Sequence, residues 1–121
     1  MTPIRKKWRL LRAWLSRSPV WCAWQVNYKC NFRCGFCHYW NEPAGACPEQ
    51  TVADFAAGSA KLARLGTLMI SLAGGEPLLR ADIAEVVGAL AKFHFPFLTT
   101  NGWHVTAELA RDLFEAGLWG V

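Results

Sequence analysis

The sequence predicts an α/β chain of parallel βα repeats, roughly the first half of a larger α/β barrel or sheet, preceded by a basic helix. Three observations carry this. After Pro19, short apolar runs rich in β-formers alternate with longer stretches of helical periodicity. Each strand-like run is followed at once by a cysteine or glycine turn motif. The last residues, "LWGV", look like the start of a further strand, and a parallel strand needs a neighbour, so the chain is expected to be part of a larger unit.

The first element is the segment "MTPIRKKWRLLRAWLSRSP". Ile4, Trp8, Leu11 and Leu15 recur at spacings of three and four, as on one face of a helix. Six of the 13 basic residues lie here (Arg5, Lys6, Lys7, Arg9, Arg12 and Arg17), with no acid among them. Residues 1–18 are therefore expected as a basic amphipathic helix and 19–121 as a partial core domain. The helix fits peripheral contact with a membrane surface or an anionic partner. It fits equally a helix that packs its stripe on the domain, the commoner use and the one expected here.

"VWCAWQVN" (20–27) reads as a strand, followed by the cysteine loop. "PEQTVADFAAGSAKLARLG" reads as a helix with Pro48 near its first turn, Gly66 as its stop and Gly58 as a weak point. "TLMISLA" (67–73) is a buried strand, followed by "GGEP". "ADIAEVVGALAKFHF" is a helix with Ile83, Val86, Val87 and Leu90 on one face. "PFLTT" (96–100) is a third strand ended by "NG". "TAELARDLFEAG" is a helix capped by Thr106 and stopped by Gly117.

Composition bounds the rest. The chain has 121 residues, 53% hydrophobic, with seven tryptophans, which fits a globular chain. Five cysteines, without a signal peptide or a regular framework, argue against a secreted disulfide scaffold. No run approaches the roughly 18 apolar residues of a membrane span. A cytoplasmic, reducing setting is expected, where clustered cysteines bind metal or do chemistry. Cys22 sits in an apolar run and Cys47 in a polar loop.

The unusual residues converge. The cysteine loop, "GGEP" and "TTNG" all follow consecutive parallel strands, at the edge where α/β proteins bind ligands. Cys30, Cys34 and Cys37, spaced C-x3-C-x2-C, let one loop offer three thiolates to a compact iron–sulfur cluster. A fourth iron would stay open, as a catalytic metal site requires. The alternatives are a zinc-binding interaction module with the basic helix as its arm, or free thiols. His38 would be the zinc site's fourth ligand, but its adjacency to Cys37 is awkward for a tetrahedral ion. Glycines in "GGEP" let backbone approach a ligand closely. Glu76 fits either an ammonium acceptor or a helix cap. Asn101-Gly102 is a turn pair. His94 and His104 read as loop or core residues, and Trp40, Trp103 and Trp119 as packing residues.

Together, "CNFRCGFC", "GGEP" and "TTNG" resemble the N-terminal half of a radical S-adenosylmethionine (radical SAM) enzyme over about residues 20–121. The resemblance implies about half of a partial TIM-type (β/α)6 barrel. It implies a [4Fe–4S] cluster on Cys30, Cys34 and Cys37, with S-adenosylmethionine chelating the open iron. Reductive cleavage would then give a 5′-deoxyadenosyl radical that abstracts hydrogen from a substrate. Phe36 would lie near the adenine, Gly74, Gly75 and Glu76 would line the methionine amino group, and Asn101 would share the rim. A flavodoxin or ferredoxin is the implied electron donor, and nucleic acid is not an expected partner. A cluster-binding but inactive fragment is the remaining alternative. Ser71 and Leu72 offer no charged anchor for an anionic ligand, which disfavours a nucleoside triphosphate as substrate.

Overall fold

A computed structural model describes residues 3–16, 19–41 and 48–121. Arg17 and Cys47, both singled out in the sequence, lie outside the described residues. Helix α1 spans Pro3–Ser16 and strand β1 spans Trp21–Asn27. They are followed by α2 (Val52–Leu65), β2 (Met69–Gly74), α3 (Ile83–Ala91), β3 (Phe95–Leu98) and α4 (Ala107–Glu115). Single 3-10 turns occupy Tyr39–Asn41 and Pro77–Leu79.

The three strands are parallel, in the order β1-β2-β3. Trp24 lies opposite Leu72, and Leu72 opposite Leu98. Gly120 makes an isolated parallel bridge to Phe97, on the outer side of β3 where a fourth strand is expected. Strand order follows chain order without a switch, the progression of a barrel wall and not of a doubly wound sheet.

Alternation sorts the side chains. Val26, Ile70, Leu72 and Leu98 are buried on one face, against Phe55 of α2, Ile83, Val86, Val87 and Leu90 of α3, and Leu113 of α4. The stripe expected on α3 is thus its core face. The opposite face of the sheet holds exposed Trp21 and Gln25, half-buried Ser71, and Phe95 and Phe97, with Trp119 edge-on to both rings. One face covered by helices and the other open is what a segment of barrel wall presents.

Two sequence expectations change. Helix α2 begins at Val52, not near Pro48, because Thr51 and Asp54 form a capping box. Thr51 Oγ1 accepts from the Asp54 amide at 3.2 Å, and Asp54 Oδ2 accepts from the Thr51 amide at 2.8 Å. The bond from the Thr51 amide holds the carboxyl of Asp54 below its ordinary value, with the bond from the Thr51 hydroxyl as a second cause. Gly58, a weak point by propensity, is a packing requirement: a Cβ there would run into the Trp24 indole. That indole packs at a tilt against Phe55, with ring centroids 4.9 Å apart.

The second change concerns α1. Its stripe does not pack on the domain. Ile4, Trp8 and Leu15 are each about two-thirds exposed, and Leu11 is also exposed. Ala13, on the other side of the helix, is buried. Among the described residues, no helix is long and apolar enough to cross a membrane.

The core also buries polar groups that are paired. His94 is fully buried, with Nδ1 3.1 Å from the Thr67 carbonyl oxygen and Nε2 3.0 Å from that of Ser59. Arg80 donates to the carbonyls of Val26 and Gln50 and forks onto Asp82. It thereby ties the end of β1 to the segments that lead into α2 and α3.

Candidate functional site

The carboxyl ends of β1, β2 and β3 are bound together by side chains that belong to three separate motifs. After β1 the chain enters the cysteine loop through Asn27, Tyr28 and Lys29. The Asn27 carbonyl accepts from the Gly75 amide at 3.1 Å, and the Lys29 carbonyl accepts from the Glu76 amide at 2.7 Å. The Asn27 side-chain amide returns a bond to the Glu76 carbonyl at 2.9 Å. Asn27 is buried, and its Oδ1 has no partner among the described residues.

This lacing explains both glycines. A Cβ on Gly74 would collide with the Asn27 carbonyl oxygen, and one on Gly75 with that of Lys29. Gly74 also holds φ +132°, which side chains rarely adopt. The close approach anticipated for a ligand is made, first of all, to the stem of the cysteine loop.

Glu76 is 1% exposed. Its Oε1 accepts from the Leu78 amide at 2.9 Å, capping the 3-10 turn, and from the Thr100 hydroxyl at 2.7 Å. Its Oε2 accepts from the Asn101 amide at 2.8 Å. The cap is therefore real, and the carboxylate also anchors "TTNG" to "GGEP". Three donors satisfy the polar oxygens of this buried side chain.

Asn101 completes the triangle. Its Oδ1 accepts from the Trp103 amide at 3.0 Å, which closes the turn where Gly102 takes φ +78°. Its Nδ2 donates to Asn31 Oδ1 in the cysteine loop at 2.9 Å. Beside this link, Phe32 and Trp103 meet edge to face at 5.8 Å.

Within the loop, Cys30, Cys34 and Cys37 are half-buried free thiols. The Cys37 amide donates to the Cys34 carbonyl at 3.1 Å, making a turn through Gly35 and Phe36. The same carbonyl takes the Trp40 indole N–H at 3.3 Å, and the Phe32 amide approaches Cys30 Sγ at 3.4 Å. Among the described residues, no three Cys, His, Asp or Glu side chains are gathered as a single ion requires. The loop presents its thiols on one rim without closing them on a point.

Phe36 is 90% exposed. It borders a hollow with Gln25, Tyr28, Cys37, His38 and Tyr39. The Gln25 amide bonds the Tyr39 hydroxyl there, so a strand residue of the open face supports the end of the loop. Trp40 lies under the Arg33 guanidinium at 5.8 Å. His104 is half-buried at the far side of the turn, with Nε2 unpaired among the described residues.

Sequence reading brought together Cys30, Cys34, Cys37, Gly74, Gly75, Glu76 and Asn101, and the structure sets all of them on one rim. It missed Asn27, Asn31 and Thr100. Asn27 ends the first strand and Asn31 lies inside the cysteine motif; a polar residue closing an apolar strand is the one signal for Asn27, and nothing local marks Asn31.

The family model described as "Radical SAM superfamily" matches residues 24–121. A probable GTP 3′,8-cyclase of Methanopyrus kandleri is 37% identical over 93 residues, covering 77% of this chain and 30% of the relative. A GTP 3′,8-cyclase of a Cyanothece species is 38% identical over 117 residues, covering 78% and 32%. The chain thus spans about a third of the length of the curated relatives it matches. The crystal structure of BtrN in complex with AdoMet and 2-DOIA superposes with a TM-score of 0.71 at 25% identity, covering 83% of this chain and 43% of that one. Streptococcus suis SuiB bound to precursor peptide SuiA shares the fold, with a TM-score of 0.69 at 18% identity over 94% of this chain and 26% of that one.

Proposed function

Because the chain belongs to the radical SAM superfamily, we propose that Cys30, Cys34 and Cys37 hold a [4Fe–4S] cluster and that the adjoining rim receives S-adenosylmethionine. Members of this family of enzymes use both cofactors. The observation that carries the proposal is a loop of three free thiols laced to the "GGEP" backbone and to Asn101.

The residues present fit such a group. Each thiolate of a cubane binds a different iron, so the loop need not bring its sulfurs to one point. Bound there, the cofactors would supply the electron transfer that cleaves the sulfonium and yields a 5′-deoxyadenosyl radical.

The chain's own residues do the positioning. The amides of Gly75 and Glu76 are already spent on Asn27 and Lys29. What this segment can offer a ligand is therefore acceptor oxygen from its backbone carbonyls. That suits an ammonium group and repels a carboxylate. The exposed ring of Phe36, beside Cys37, offers a flat apolar surface to an adenine. Asn101 holds the loop's register against both.

An electron donor of the flavodoxin or ferredoxin class completes the reading. Ser71, on the open face of β2, faces Thr99 with their hydroxyl oxygens 3.3 Å apart. A triphosphate substrate would have to find its cations outside these strands.

Anaerobic reconstitution tests the proposal. The protein should turn brown and hold about four irons per chain. Alanine at Cys30, Cys34 or Cys37 should abolish this, and titration calorimetry should detect S-adenosylmethionine only on the loaded protein. A colourless protein that retains one zinc per chain in air would overturn it.

A further inference from the structure

Helix α1 has no part in the rim, yet it carries the most polarised pattern in the chain. Four large apolar side chains, Ile4, Trp8, Leu11 and Leu15, line one stripe, and all four face solvent. Trp8, Leu11 and Leu15 border a shallow apolar groove with Arg12. Trp14, beside the stripe, is 77% exposed. The side that carries Ala13 is turned inward instead. A helix whose apolar stripe faces away from its own core exposes it to something else.

Charge says what. Six basic residues and no acid occupy the first 17 positions, while the rest of the chain carries seven basic and nine acidic residues. At about 100° per residue, positions 5, 9 and 12 fall along one flank of the stripe and position 7 along the other. Tryptophan with leucine on the apolar side and arginine with lysine on the flanks is the pattern of a helix that lies in a lipid–water interface. Fourteen residues are too few to span a bilayer.

We propose that α1 seats this protein on anionic membrane surfaces. The stripe enters the acyl boundary and the flanking cations meet lipid phosphates. A second copy of this chain is the poorer occupant, because stripe-to-stripe contact would bring two strongly cationic segments together. Nucleic acid would take the charges but leave four large apolar side chains in water.

The test needs no cofactor, so it stands apart from the cluster reading. The 121-residue chain is sedimented with vesicles of phosphatidylcholine alone or doped with phosphatidylglycerol. Binding to the anionic vesicles should be at least about tenfold tighter, since each basic residue near such a surface contributes roughly fivefold. It should weaken as salt is raised. The double variant L11E/L15E should bind at least about tenfold less, with unchanged circular dichroism because both positions are exposed. Arg12→Gln, a milder change, should lose roughly fivefold. Equal affinity for both vesicle types would overturn the proposal, as would variants that bind like the parent. So would a dimer that L11E/L15E dissolves without any vesicle binding, or duplex DNA binding that outcompetes the vesicles and survives L11E/L15E.

Discussion

The side-chain amide of Asn101 donates to Asn31 Oδ1 at 2.9 Å, joining the turn after β3 to the cysteine loop just past Cys30. The two residues are 70 positions apart. The bond gives the thiol loop a fixed point outside its own stem. The loop is otherwise held by Asn27 and Lys29 at one end and by the Gln25–Tyr39 bond at the other.

Asn101→Ala removes this tether and the turn's internal acceptor, and leaves the backbone bond to Glu76. A net loss of about 1 kcal/mol is expected for such bonds, so the fold should persist. The effect should appear in the loop: faster amide hydrogen exchange over residues 30–37 and faster loss of iron in air. Exchange rates equal to the parent's would show that the tether has no hold on the loop.

Glu76→Gln replaces an acceptor oxygen with an NH2 that must face one of three donors, from Leu78, Thr100 or Asn101. A buried donor without an acceptor costs about 1–3 kcal/mol. Urea unfolding should show a lower midpoint with an unchanged slope. Because Glu76 joins two rim segments, the variant should also bind S-adenosylmethionine more weakly.

Gly75→Ala drives a methyl group into the Lys29 carbonyl oxygen, a backbone atom that cannot turn aside. Overpacking of this kind costs about 1–3 kcal/mol. The expected relief is displacement of residues 27–30, read as exchange of the Glu76 amide, which is protected by Lys29 in the parent. Gly35→Ala is the control, since a Cβ there meets nothing.

Asp54 gives the capping of α2 a pH dependence. Its folded pKa is lowered from the ordinary 3.8, so its contribution is complete above that value. It is lost as the pH falls through the lower folded value. Unfolding followed by circular dichroism between about pH 5 and pH 2 should show a component that Asp54→Asn removes. An identical acid profile in the variant would deny the carboxylate this role.

Much of the fold was legible because its signals are local. Strand runs of alternating burial and the apolar face of α3 depend on a few neighbouring residues, and both appear where periodicity puts them. Errors came where a side chain decides a boundary. Pro48 points to the start of α2, but Thr51 caps the helix by accepting from the Asp54 amide, while Asp54 accepts from the Thr51 amide. By propensity Gly58 is a weak point of the helix, but the Trp24 ring lies on it and leaves no room for a Cβ. For α1, which spans Pro3–Ser16, the stripe faces solvent and not the domain, since a stripe records that a face is apolar and not what it meets.

By itself the sequence determined the βα alternation, the family, and the three thiols at C-x3-C-x2-C spacing after the first strand. These are properties of residues close together in the chain. Only the tertiary structure decided that Gly74 and Gly75 make room for the loop's stem, that Glu76 spends its oxygens on Leu78, Thr100 and Asn101, and that Asn101 reaches Asn31. Such bonds arise when parallel strands bring distant turns to one edge, and a buried carboxylate must then find its donors among whatever that edge supplies.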